Sequence, residues 1–197
     1  MHISKKLILA SRSPRRQLLL KQIGLSFEIR ESGVDEGTAD AMTPEQCVRF
    51  LSKKKAEAVA RDENDAIVIG ADTIVVLDGD MLGKPQDASD AARMLKRLSG
   101  RTHQVYTGFT LYDCSSGDTR SEVEVTSVTF RRLGEEEIDA YVLSGSPLDK
   151  AGAYGIQDDY GAVFVERIEG CFYNVVGFPL AKFYTTFLEF QQQLSVR

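Results

Sequence analysis

AIVIGADTIVVLDGDML, residues 66–82, begins as a β-branched apolar run, passes through Gly70, Ala71 and the carboxylate of Asp72, and ends on a turn signal, Asp78-Gly79. Apolar runs of this length bounded by turn residues are buried strands. Ala66 to Ala71 is therefore expected as a central strand. Val75 to Leu82 is expected as a tight hairpin on Asp78-Gly79, because both central residues of such a turn need positive φ. Ligands in open α/β sheets collect beyond the carboxyl ends of strands, so Asp72 is expected just past the end of one.

Strand-like and helix-like segments alternate on both sides of this stretch. Upstream, Leu7 to Ala10 reads as a short buried strand, and Ser13-Pro14 opens a helix to about Gln22, with Gly24 as its stop. Phe27 to Gly33 is expected as a second strand. Thr43-Pro44-Glu45-Gln46 carries the spacing of a capping box and starts a helix to about Arg61. Downstream, Asp87 to Leu98 has helical spacing and Gly100 follows it. Gln104 to Tyr112 and Arg120 to Arg131 form a long hairpin, and Glu135 to Leu143 a short helix. Ala162 to Ile168 is expected as a strand and Pro179 to about Gln192 as a closing helix. The pattern predicts an α/β fold in one domain, residues 1–197, with a mixed twisted sheet flanked by helices.

The chain of 197 residues is 43% hydrophobic and carries a net charge of −5. No stretch reaches the roughly 20 apolar residues that cross a bilayer. A cytoplasmic protein with no membrane partner is expected. The acidic balance argues against nucleic-acid binding, which needs a basic surface. Cys47, Cys114 and Cys171 are far apart and form no C-x-x-C, so reduced thiols are expected. His2 and His103 are too distant in sequence to suggest a ligand pair, and no phosphate-binding P-loop or serine-hydrolase elbow is present.

Four groups of residues suggest chemistry. Ser11-Arg12-Ser13-Pro14-Arg15-Arg16 places two arginines in the first turn of a helix, where the dipole disfavours cations unless an anion is bound there. They either hold phosphate or are solvated or paired with acids. Asp72 either holds a cation or orients a water, or it serves an ordinary turn. Lys55 interrupts the apolar stripe of Val48, Leu51, Ala58 and Val59. It reaches an anion, pairs with a buried acid, or snorkels to solvent. Lys84, in Gly83-Lys84-Pro85, is a loop cation, and the glycine-rich run from Asp149 to Gln157 allows close backbone approach while Gln157 offers a donor and an acceptor.

Taken in order, LILASRSPRRQLL (7–19), VDE (34–36), KKKAEAV (53–59), GADTIV (70–75), GKP (83–85), LSGRTHQVYTG (98–108) and DKAGAYGIQ (149–157) resemble the Maf family of nucleotide pyrophosphatases. That family's fold is similar to that of inosine triphosphate pyrophosphatase, with a cleft between two lobes. The resemblance implies hydrolysis of a nucleoside triphosphate to monophosphate and pyrophosphate with a divalent cation, Mg²⁺, Mn²⁺ or Co²⁺. Ser11, Arg15 and Arg16 would form the substrate loop, Lys55 and Lys84 would contact phosphates, and Asp72 and Glu36 would supply the acids near the metal. Arg15, Thr73 and Gln157 resemble the set of the branch acting on dTTP and UTP, whereas the branch acting on 7-methyl-GTP carries acids at the last two. Modified pyrimidine nucleotides such as pseudo-UTP or 5-methyl-UTP would share the selected edge. The family is also associated with inhibition of septum formation, which leaves a regulatory binder as an alternative, and a homodimer is implied.

Overall fold

The computed structural model describes residues 5–35, 42–157 and 160–196. Among them, seven strands form one mixed sheet and six α-helices accompany it. The strands are β1 (Lys6–Leu9), β2 (Glu28–Ile29), β3 (Ala66–Leu77), β4 (Asp80–Leu82), β5 (Thr102–Asp113), β6 (Thr119–Phe130) and β7 (Val165–Glu169). The helices are α1 (Pro14–Gln22), α2 (Pro44–Ala60), α3 (Ala88–Leu98), α4 (Glu135–Leu143), α5 (Phe172–Val176) and α6 (Leu180–Ser195). The hydrogen-bonded order is β2-β1-β3-β5-β6-β7, with β4 also paired to β3. β1 runs parallel to both β2 and β3, while β4 returns antiparallel along β3.

Local chemistry sets most element boundaries. The Ser13 hydroxyl accepts from the Arg16 amide at the start of α1, and Pro14 takes the first helical position. Thr43 and Gln46 close a reciprocal capping box on α2, each side chain accepting from the other's amide at 3.3 and 3.0 Å. Asp87 caps α3 through the Asp90 amide at 2.8 Å. Asp78 and Gly79 both have positive φ, 54° and 88°, so the expected tight hairpin forms between β3 and β4.

Three expectations are corrected. β3 does not stop at Ala71 but continues through Asp72 to Leu77, because Thr73-Ile74-Val75-Val76 is itself a β-branched run. The strand expected over residues 27–33 is only Glu28–Ile29, both exposed. It is an edge partner of β1, and the flanking charges favour solvent over a longer ladder. β7 begins at Val165 because residues 160–164 form a 3₁₀ turn that seats Phe164 fully inside the core.

The chain forms two compact units, one of Met1–Asp72, Thr107–Glu124 and Gly177–Arg197, the other of Thr73–Tyr106 and Val125–Val176. In the first, Ile8, Ala10, Val59 and Val68 pack together, and Phe109, Phe178, Phe183 and Phe187 form a ring cluster, with Phe109 and Phe183 centroids 5.6 Å apart. Each buried Ile, Val or Phe among them contributes about 1.5–3 kcal/mol. In the second, Leu95, Leu98, Phe130, Tyr141 and Phe164 form the core. His103 lies within it, 2% exposed, with Nε2 2.8 Å from the Tyr154 hydroxyl and Nδ1 without a hydrogen-bond partner. Burial pushes the His103 imidazole down to about 4 and raises the Tyr154 phenol.

Candidate active site

The first unit places α2 unusually close to the sheet. A Cβ on Gly70 of β3 would lie 2.1 Å from the Ser52 carbonyl oxygen, and one on Gly108 of β5 would lie 2.5 Å from that of Val48. Glycine inside a strand permits this backbone approach. The helix is then held by polar contacts through the seat. The Ser52 hydroxyl lies 3.0 Å from that of Thr110, which lies 2.7 Å from that of Ser121.

One turn along α2 from Ser52, Lys55 reaches β3. Its Nζ donates to Asp72 Oδ1 at 2.6 Å, with Lys55 7% and Asp72 6% exposed. Of the alternatives for Lys55, pairing with a buried acid is the one realised, and snorkelling is not. Asp72 lies within β3 and not in a loop after it. A charged side chain in mid-strand is tolerated because its partner arrives from the helix above.

Arg16 joins the same region from α1. Its Nη1 donates to the Ala71 carbonyl at 3.0 Å and to the Ser11 hydroxyl at 3.2 Å, and its Nε donates to the Gly177 carbonyl at 3.0 Å. Ser11 is 9% exposed and also accepts from the Ser13 amide at 3.2 Å. Arg15 is half-buried beside Arg16 in the first turn of α1. Ser11, Arg16, Lys55 and Asp72 are thus brought together. Glu36 lies outside the described residues.

The second unit carries Thr73, half-buried on β3, and the exposed Lys84 and Gln157. Lys84 sits between β4 and α3 over the buried Pro85, and the Gly152 amide donates to the Gly83 carbonyl at 3.0 Å. Gly152 has a φ of 69°, and a Cβ there would meet Val75 Cγ2 at 2.8 Å. The glycine-rich run therefore packs on β3 and holds the Lys84 loop through its backbone. Lys150, singled out only as part of that run, is itself 7% exposed, with Nζ 2.7 Å from Asp149 Oδ1 and 2.6 Å from the Ser146 carbonyl.

Sequence reasoning missed the seat of Gly70 and Gly108, although glycine within an apolar strand is its signal. It also missed the carbonyl contacts of Arg16, for which no sequence signal exists.

The Maf-like protein family matches residues 6–190. The chain belongs to that family. This Maf-like chain is 50% identical over 186 residues to a dTTP/UTP pyrophosphatase of Salinibacter ruber, covering 94% of this chain and 91% of that protein. It is 48% identical over 191 residues to a dTTP/UTP pyrophosphatase of Bacillus cytotoxicus, covering 97% and 98% of the two chains. Among solved structures, a HAM1 protein from Coxiella burnetii matches with a TM-score of 0.52 at 13% identity, over 94% of this chain and 99% of that one. That likeness bears on the fold alone, and it agrees with the expected mixed sheet flanked by helices.

Proposed function

We propose that this Maf-like protein hydrolyses the α–β phosphoanhydride of dTTP and UTP, releasing pyrophosphate and the nucleoside monophosphate. The observation that carries the reading is the buried Lys55–Asp72 pair at 2.6 Å, in a chain about half identical to relatives bearing that activity in their names. In this reading Asp72 accepts a proton from the water that attacks the α phosphorus. The bond to the bridging oxygen breaks and pyrophosphate departs with added charge. Lys55, held against Asp72, and Lys84, on its tethered loop, offer cations for that charge. Arg15, with Ser11 at the same helix start, faces the anionic substrate. Thr73 and Gln157 select the imide edge of uracil or thymine, the Gln157 amide being able to donate and accept.

A divalent cation belongs to this reading. Among the described residues no three His, Cys, Asp or Glu side chains gather as a ligand cluster. Asp72 nevertheless supplies a hard oxygen donor, and Mg²⁺ commonly uses one or two carboxylates together with substrate phosphates. Asp72 fits such an ion, and in this reading Glu36, outside the described residues, would be its second protein ligand. When bound, it neutralises part of the triphosphate charge and lowers the pKa of a coordinated water. The reading also carries a cytoplasmic homodimer without nucleic-acid or membrane partners. The net charge of −5 argues against a nucleic-acid partner, and no helix among the described residues is long and apolar enough to cross a membrane.

Purified protein is to be screened against nucleoside triphosphates with Mg²⁺, Mn²⁺ or Co²⁺, measuring released pyrophosphate. Turnover of dTTP and UTP above 7-methyl-GTP is expected. Preference for 7-methyl-GTP would reassign the branch, and no turnover of any nucleotide would leave the regulatory binder.

A further inference from the structure

We propose that Arg16 is a positioning residue that fixes Asp72 and Ser11 through the backbone, and is not itself a grip on substrate phosphate. The inference rests on the proposed pyrophosphatase reading, which it deepens.

The β1–β3 ladder ends before β3 does. The parallel register stops at Leu9 opposite Ile69, and the Ala10 amide makes the last contact, to the Ile69 carbonyl at 2.8 Å. Carbonyls of alternate residues face the same neighbour, so the Ala71 carbonyl is the next that a longer β1 would satisfy. The chain instead leaves as the Ser11–Ser13 turn into α1, and Arg16 Nη1 takes the vacated role at 3.0 Å. The same nitrogen holds the Ser11 hydroxyl at 3.2 Å, and Nε holds the Gly177 carbonyl, ahead of α6, at 3.0 Å. One planar cation thereby joins the substrate turn, the residue before Asp72 and the approach to α6. Ala71 is fully buried, so its carbonyl has little access to water as a substitute donor. Guanidinium presents its donors in a rigid fork that an ammonium cannot copy. With Nε and Nη1 committed to carbonyls and a hydroxyl, the side chain works as the last rung of the sheet.

Lysine separates the two roles. A phosphate contact is largely kept by Arg16→Lys, because an ammonium binds phosphate as a point charge. A fork that ties backbone segments is not. Arg16→Lys and Arg16→Ala are therefore both expected to lower kcat for dTTP by about 100-fold, the scale of a small misplacement of catalytic groups. KM should stay within about threefold, as expected when ground-state binding is untouched. Hydrogen exchange at the Ala71–Thr73 amides should quicken at least about tenfold in Arg16→Lys, reporting local opening independently of turnover. A variant that keeps kcat while KM rises tenfold would show Arg16 to be a phosphate ligand, and wild-type exchange at those amides would equally overturn the proposal. Wild-type protein inactive on every nucleotide would sink the pyrophosphatase reading. The exchange measurement would still decide whether Arg16 holds β3.

Discussion

The Lys55 ammonium and the Asp72 carboxylate face each other at 2.6 Å with almost no exposure to water. A buried pair of this kind is costly to break, because the remaining charge is left without compensation, at about 3–5 kcal/mol. Asp72→Asn is nearly isosteric, so side-chain shape alone would leave the fold intact. The structure predicts otherwise. Asp72→Asn and Lys55→Met should each lose pyrophosphate release and each lower stability by several kcal/mol in denaturant titration. The double variant should recover much of the stability and none of the activity. If Asp72→Asn unfolds at the wild-type midpoint, the ion pair is not a structural element.

Gly70→Ala tests the seat of α2. The added methyl would stand 2.1 Å from the Ser52 carbonyl and 2.8 Å from the Ala56 amide, both backbone atoms that cannot swing aside. Overpacking of this kind costs about 1–3 kcal/mol, sometimes more, and here the upper end is expected. Gly83→Ala, which meets nothing within 4 Å, should stay within about 0.5 kcal/mol. Equal midpoints for the two variants would remove the argument for the seat.

The acid side of the stability profile should carry the signature of His103. Its folded pKa is depressed from 6.5 to about 4 by burial, so the fold keeps it neutral while the unfolded chain protonates below pH 6.5. Its contribution is fully present above that value and is lost as pH falls towards 4. The loss between pH 7 and pH 5 amounts to about 2 kcal/mol. Asp113, whose carboxyl is lowered by the Lys5 and Ser116 contacts that outweigh its burial, acts in the same direction, so the test is a difference. Urea midpoints of His103→Gln should fall less steeply over this range than those of the parent. Parallel curves would show that His103 does not titrate on unfolding.

Selectivity should follow Thr73 and Gln157. Replacing them by Asp and Glu is expected to reduce kcat/KM for dTTP and UTP by about 10–100-fold, because a carboxylate cannot donate to the pyrimidine edge. The ratio to 7-methyl-GTP should move the opposite way. An unchanged ratio across the panel would place selection elsewhere.

How much of this was legible beforehand depended on range. The caps at Ser13 and Thr43 and the Asp78-Gly79 turn were readable because each is settled within a few neighbouring residues. Lys55 was recognisable as an anomaly on its stripe, but choosing among its fates required knowing what lies opposite. Its partner is 17 residues away, on another element. The same ignorance shortened β3, since Asp72 looks like a terminator until a helix supplies its counter-charge. The carbonyl contacts of Arg16 were hidden for a related reason. A guanidinium at a helix start reads as a receptor for external anions, and only the early end of β1 reveals carbonyls waiting for it.

The two glycines under α2 determine which substitutions the molecule tolerates. Because contact at Ser52 and Val48 is backbone against bare backbone, the height of the Lys55 ammonium is fixed by main-chain thickness and not by the bulk of neighbouring side chains. Apolar exchanges at Leu51 or Val59 can therefore accumulate, each costing some stability, while the charge they flank keeps its station. A single methyl at residue 70 or 108 would displace it.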